Sequence, residues 1–119
     1  MHARTYAMLD AAYEAGIRYA DAARSYGLAE KFLAGWLADR GHSDMTVGSK
    51  WGYRYTGDWR LDAPRQEVKE HSLAAFESQL AQTRANLGSR LALYQVHSLT
   101  DDSGVLGDTA LLAASCLAP

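Results

Sequence analysis

The chain has 119 residues and 13.0 kDa, with 48% hydrophobic and 22% charged residues and a formal net charge of -2. That is enough for one domain with a core, and no excess of basic residues points to nucleic acid. The single cysteine, Cys116, excludes an internal disulfide, no apolar run approaches the ~18 residues that span a membrane, and no basic-then-apolar leader opens the chain, so a soluble cytoplasmic α/β protein is the expectation.

In chain order, the first helix has Met8, Ala12 and Ala15 on one face, Thr5 as a capping candidate and Gly16 as its stop. A short strand follows over 17–20 and closes on Asp21. Beyond Gly27, Ala29, Phe32, Leu33, Trp36 and Leu37 fall at helical spacing, and Gly41 stands past the end. Residues 45–50 read as the next strand, ending on Lys50. The segment 51–66 reads as a long loop holding Trp51, Tyr53, Tyr55 and Trp59; its aromatics argue against disorder. Leu73, Phe76, Leu80, Thr83 and Leu87 predict a long helix over 67–87 that stops at Gly88. Leu91 to Val96 predicts a strand buried on both faces, and His97 follows it. A turn at 101–104 and a helix over 105–114 complete the chain.

Strands and helices alternate throughout, which implies parallel strands joined by right-handed crossovers. Either an open doubly wound sheet or part of a (β/α)8 barrel fits the order. In both, chemistry collects where strands hand over to their following loops. The three strand ends supply Asp21 with nearby Tyr26, then Lys50, then His97. Alone, each has an ordinary structural reading: a turn former, a packing residue, a solvated lysine, a satisfied histidine. One such group at each successive strand end is a different matter. A carbonyl accepting hydride develops negative charge on oxygen and needs a positioned proton donor. Phenols ordinarily titrate near ~10, too high for an efficient donor at neutral pH, and a neighbouring ammonium stabilises the phenolate. Lys50 supplies the ammonium, Asp21 a carboxylate to hold it, and His97 a group for the substrate oxygen or for proton relay.

The words that carry these groups are Gly16-x-Arg18-Tyr19-x-Asp21-x-Ala23-x-x-Tyr26-Gly27-x-x-Glu30-x-x-Leu33, Gly48-Ser49-Lys50 and Tyr94-Gln95-Val96-His97. Together they resemble the signature of the aldo-keto reductases, a barrel family using NADPH, and the aromatic loop is similar to that of bacterial members. The resemblance runs from about Ala7 to Leu112. It implies reduction of a small carbonyl substrate, with Tyr26 as proton donor, Lys50 and Asp21 as its activating pair, and His97 orienting substrate. Asp21 would also meet the nicotinamide end of NADPH, and Glu30 would support the site. Trp51 and Tyr53 either wall a substrate pocket or pack the loop onto the barrel mouth. No histidine or cysteine spacing suggests a metal.

Residues 1–119 then form one incomplete barrel domain with strands near 17–21, 45–50 and 91–97, since complete barrels run to about 250 residues. By the resemblance, the first strand and the half bearing most of the NADP grip lie outside this sequence, and no Gly-rich phosphate loop replaces them. The expectation is a chain that is inactive alone and self-associates through open sheet edges. Its rivals are a non-enzymatic remnant acting as an association or regulatory subunit, and an unrelated open α/β domain.

Overall fold

A computed structural model describes residues 2–55 and 67–116. The first helix, α1 (His2–Glu14), runs into a turn in which the Ile17 amide donates to the Ala12 carbonyl. That bond holds Ile17 at the helix end, so β1 is only Tyr19–Asp21, shorter than the apolar run predicts. Because α1 begins at His2, Thr5 lies inside the helix rather than capping it. The packed side is Tyr6, Leu9 and Tyr13, and Met8 is 65% exposed. Helix α2 (Ala29–Arg40) follows and closes on Gly41 in the left-handed conformation. Trp36 of α2 donates its indole N–H to Asp10 of α1 at 2.8 Å, and Arg40 grips the same carboxylate with two nitrogens. The Arg40 guanidinium and the Trp36 indole hold the Asp10 carboxyl down at about 2.

Strand β2 (Thr46–Trp51) lies between β1 and β5 (Leu91–Val96), and both pairings are parallel. The predicted loop after Trp51 contains a hairpin instead. Strand β3 (Tyr53–Tyr55) pairs antiparallel with β4 (Glu67–Lys69), and the Glu70 amide donates to the Gly52 carbonyl at 2.6 Å. Trp59, in the remainder of that loop, lies outside the described residues. The hairpin also moves the start of the long helix, since backbone groups committed to β4 cannot serve a helix. Helix α3 is Leu73–Leu87, and the Ser72 hydroxyl caps it by accepting the Ala75 amide at 3.1 Å. Strand β5 (Leu91–Val96) follows. The last predicted helix divides into a short 3-10 turn at Val105–Gly107 and α4 (Thr109–Cys116), whose start is held by Asp108 accepting the Leu111 amide.

The two sheet faces differ. Alternation along β2 sends Val47, Ser49 and Trp51 to the helices, where Leu33, Trp36, Leu37, Phe76, Leu80 and Leu87 complete the core. The other face carries Tyr19, Asp21, Gly48 and Lys50, with Leu93 and Gln95 in register beside the last two. A Cβ at Gly48 would collide with the Tyr19 hydroxyl, so glycine is required for that tyrosine to lie across the strand. Tyr19 and Leu93 remain 45% and 44% exposed. The expectation that β5 is buried on both faces therefore fails: it is an edge strand, and only its helix-facing side is covered. Three parallel strands alternating with helices form the α/β architecture of a partial (β/α)8 barrel, open along β1 and β5.

The helix-facing core is the main source of stability. Trp51 is 1% exposed and meets Phe76 edge-on at 5.1 Å. Trp51→Ala should cost about 3–5 kcal/mol, read as a lower urea midpoint followed by far-UV circular dichroism.

Candidate active site

The ladder of the sheet continues past the strands and fixes the loop after β1. The Ala22 amide donates to the Gly48 carbonyl and the Arg24 amide to the Lys50 carbonyl, both at 2.9 Å. A turn then forms as the Tyr26 amide donates to Ala23, and Gly27, at φ 63°, lets the chain enter α2. Tyr26 is thereby returned over the C-terminal edge of the sheet. On the far side, the His97 amide donates to the Trp51 carbonyl at 2.8 Å, extending β5 by one residue.

These constraints bring Asp21, Tyr26, Lys50 and His97 together. The Lys50 ammonium donates to Asp21 Oδ2 in a short ion pair. It also lies 5.2 Å from the centre of the Tyr26 ring. The His97 imidazole meets Tyr26 edge-on, with ring centres 5.6 Å apart and planes at 90°. Lys50 is largely buried, whereas Tyr26 is 48% exposed and accessible to a reactant. Charge, phenol and imidazole thus adjoin one another on the face of the sheet that solvent reaches.

The aromatic residues after β2 divide. Trp51, expected as a pocket wall or as packing, lies in the core, because its parity on β2 is that of Val47 and Ser49. Tyr53 lies at the site, with its ring edge-on to His97 at 4.8 Å. Between them, Gly52 at φ 121° passes so close to His71 that a Cβ would sit 2.5 Å from its imidazole. His71 Nε2 is 2.9 Å from the His97 carbonyl, and burial pushes the His71 imidazole below its ordinary range. Sequence reasoning overlooked His71 here, and also Ser25, a buried residue whose hydroxyl is 3.5 Å from His97 Nδ1.

Beneath the site, Glu30 is fully buried. Its Oε2 accepts the hydroxyls of Ser49 and Thr83, each at 2.7 Å. Its Oε1 accepts Arg24 Nη1 at 2.6 Å and Asn86 Nδ2 at 3.1 Å. Burial pushes the carboxyl up, but the four donors outweigh it and hold Glu30 below the ordinary range. The Thr83 hydroxyl has one proton, given to Glu30, so Tyr94 must donate in its 3.0 Å contact with Thr83. Burial, with the Glu30 charge nearby, pushes the Tyr94 phenol up to about 12. The signal for this network was present in the sequence: with Lys50 on one face of β2, Ser49 must face the core and needs a polar partner.

The half-exposed Asp21 carboxylate and the Tyr26 ring border the open face of the sheet. The basic groups beside them are already engaged, Lys50 by Asp21 and Arg24 by Glu30. Among the described residues, no three or more His, Cys, Asp or Glu side chains converge as metal ligands would, and no helix is long and apolar enough to cross a membrane.

A parallel α/β sheet with polar side chains at the C-terminal ends of its strands is the arrangement of part of a (β/α)8 barrel. The model of the aldo/keto reductase family matches residues 2–105, and the chain belongs to that family. Two solved structures from Pseudomonas aeruginosa, both assigned provisionally as aldo-keto reductases, are similar to it. The first is 26% identical with a TM-score of 0.74, and the match covers 96% of this chain and 44% of that one. The second is 25% identical with a TM-score of 0.72, covering 96% and 43%. The chain therefore spans less than half the length of either. No curated protein sequence gives a significant match.

The depressed Glu30 and Asp10 carboxyls make stability depend on acid. Their contribution is complete above their ordinary values of 4.5 and 3.8, and is lost as pH falls through the lower folded values, about 2 for Asp10. Urea titrations between pH 7 and pH 2 should show that loss, with a shallower slope in Glu30→Gln, which has no carboxyl to protonate.

Proposed function

We propose that this chain supplies the proton-donating half of an NADPH-dependent carbonyl reductase, which converts aldehydes or ketones to alcohols. The observation that carries the reading is the position of the Tyr26 ring, 5.2 Å from the Lys50 ammonium and edge-on to His97 at 5.6 Å. A reduced nicotinamide, when bound, supplies the hydride. The protein has to bind the carbonyl oxygen and deliver a proton to it as charge develops there. Tyr26 holds that proton on its phenolic oxygen. The Lys50 ammonium places positive charge beside the Tyr26 ring, and Asp21, accepting its hydrogen bond, holds it there. His97, seated between Tyr26 and Tyr53, orients the substrate oxygen and gives it a second hydrogen-bond partner. Tyr53 forms the outer wall against which the substrate body packs.

The test fuses this chain to the parts of the Pseudomonas aeruginosa homologue that it does not cover, and follows NADPH oxidation with an aromatic aldehyde. We expect turnover, reduced about 10²-fold or more in Tyr26→Phe, the scale of a lost general acid. A folded fusion whose turnover is unchanged by Tyr26→Phe would remove Tyr26 from the role. The chain alone is expected to bind NADPH weakly in a fluorescence titration and to show no turnover.

The exposed strand edges favour a second reading, in which the chain acts by association. Tyr19 on β1 and Leu93 on β5 present half-exposed apolar side chains next to unpaired backbone. Size-exclusion chromatography should then show a species larger than 13.0 kDa, shifted toward monomer by Leu93→Lys. A monomer with a sharp thermal transition would overturn it.

A further inference from the structure

Each residue of the segment Arg24-Ser25-Tyr26 meets at least one other member of the proposed tetrad. The Arg24 amide donates to the Lys50 carbonyl at 2.9 Å, the Ser25 hydroxyl lies 3.5 Å from His97 Nδ1, and the Tyr26 ring faces both the Lys50 ammonium and His97. The segment is three residues of non-repetitive backbone, tied to the sheet by the Arg24 amide on Lys50 and closed by the Tyr26 amide on Ala23 and the Ala29 amide on Tyr26. Its side-chain tie from below is Arg24, held to Glu30 Oε1 at 2.6 Å. Glu30 in turn is tied to β2 by Ser49 and to α3 by Thr83 and Asn86, so its carboxylate cannot shift without breaking bonds to two other elements. A buried, fully hydrogen-bonded carboxylate is a rigid reference point, and a charged pair in such surroundings loses several hydrogen bonds at once if displaced.

We propose that Glu30 is a positioning residue, which acts through Arg24 to set the angle at which Tyr26 is presented to Lys50 and His97. A helix-capping acid or a purely structural buried carboxylate would stabilise the fold without bearing on that angle. Here the route is specific: carboxylate, guanidinium, backbone of residue 24, and then the phenol two residues on. Uncoupling Glu30 from Arg24 releases the segment while Ser49, Thr83 and Asn86 keep α2 and α3 attached to the sheet.

The inference rests on the assignment of Tyr26 as the proton donor, but its test reads geometry and not turnover. In the full-length chain, nuclear Overhauser cross-peaks between the Tyr26 and His97 rings, and between Tyr26 and the Lys50 side chain, report the tilt. Cross-peaks between Trp51 and Phe76, whose rings lie 5.1 Å apart in the core, report the fold. Arg24→Met removes the guanidinium and leaves Glu30 accepting from Ser49, Thr83 and Asn86. In it we expect loss of the Tyr26 cross-peaks with the Trp51–Phe76 cross-peaks intact. Glu30→Gln removes the charge that holds Arg24 but also leaves one acceptor oxygen for four donors, and where it folds it should show the same loss.

Retention of the Tyr26 cross-peaks in either folded variant overturns the proposal. So does their loss in step with the Trp51–Phe76 cross-peaks, which would make the role global. If Glu30→Gln does not fold, Arg24→Met decides, and unfolding of both assigns the pair to the fold as a whole and overturns the proposal. Should the cross-peaks vanish as expected while the fusion enzyme ignores Tyr26→Phe, the positioning stands and the catalytic reading of Tyr26 falls.

Discussion

The charge of Glu30 is the constraint on which the rest of the structure depends. A carboxylate taken fully out of water costs several kcal/mol unless its oxygens are met by donors. Here the donors come from the loop after β1, from β2 and from α3, while Glu30 itself belongs to α2. Satisfying one carboxylate therefore requires these elements to be in place together. The requirement extends through Thr83 to Tyr94, so β5 is included as well. An apolar residue of the same volume would bury without this demand and would leave the relative placement of the elements less defined.

The network also separates two surfaces with different tasks. On the helix side, Val47, Trp51, Phe76 and Leu80 exclude water and hold β2 rigid. On the opposite side, Lys50 and Asp21 form an ion pair within reach of solvent, under a half-exposed tyrosine. Adjacent residues of one strand thus face opposite layers, Ser49 binding Glu30 and Lys50 binding Asp21. The alternation is a property of any strand, and it lets the buried layer lie one residue away from the exposed one. Open edges on both sides of the sheet are consistent with a chain that spans less than half of its solved relatives.

Much of this was legible in the sequence, for physical reasons. Helix α2 announces itself by apolar spacing and a glycine stop, and the Asp21, Lys50 and His97 positions follow from runs of strand-forming residues that end in a single polar group. The hairpin of β3 and β4 was not legible. Its strands are three residues each and are separated in sequence, so no local period marks them. The start of α3 was misplaced for the same cause: Glu67, Lys69 and Glu70 suit a helix by propensity, and pairing with β3 overrides it. Trp51 shows a related limit, because an aromatic residue after a strand has no assigned side until the parity of the strand is known.

The sequence by itself determined the alternation of strands and helices, the family, and the three side chains at the strand ends with Tyr26 in the loop after the first, since these depend on local patterns and short words. Tertiary structure alone decided that Tyr26 returns over Lys50, that the ring of Tyr53 and not that of Trp51 meets the His97 imidazole, and that β5 leaves one face open. It alone joined Glu30 to Ser49, Thr83 and Asn86, up to 56 positions away. Distances between remote side chains arise from packing, and no pattern within a few residues contains them.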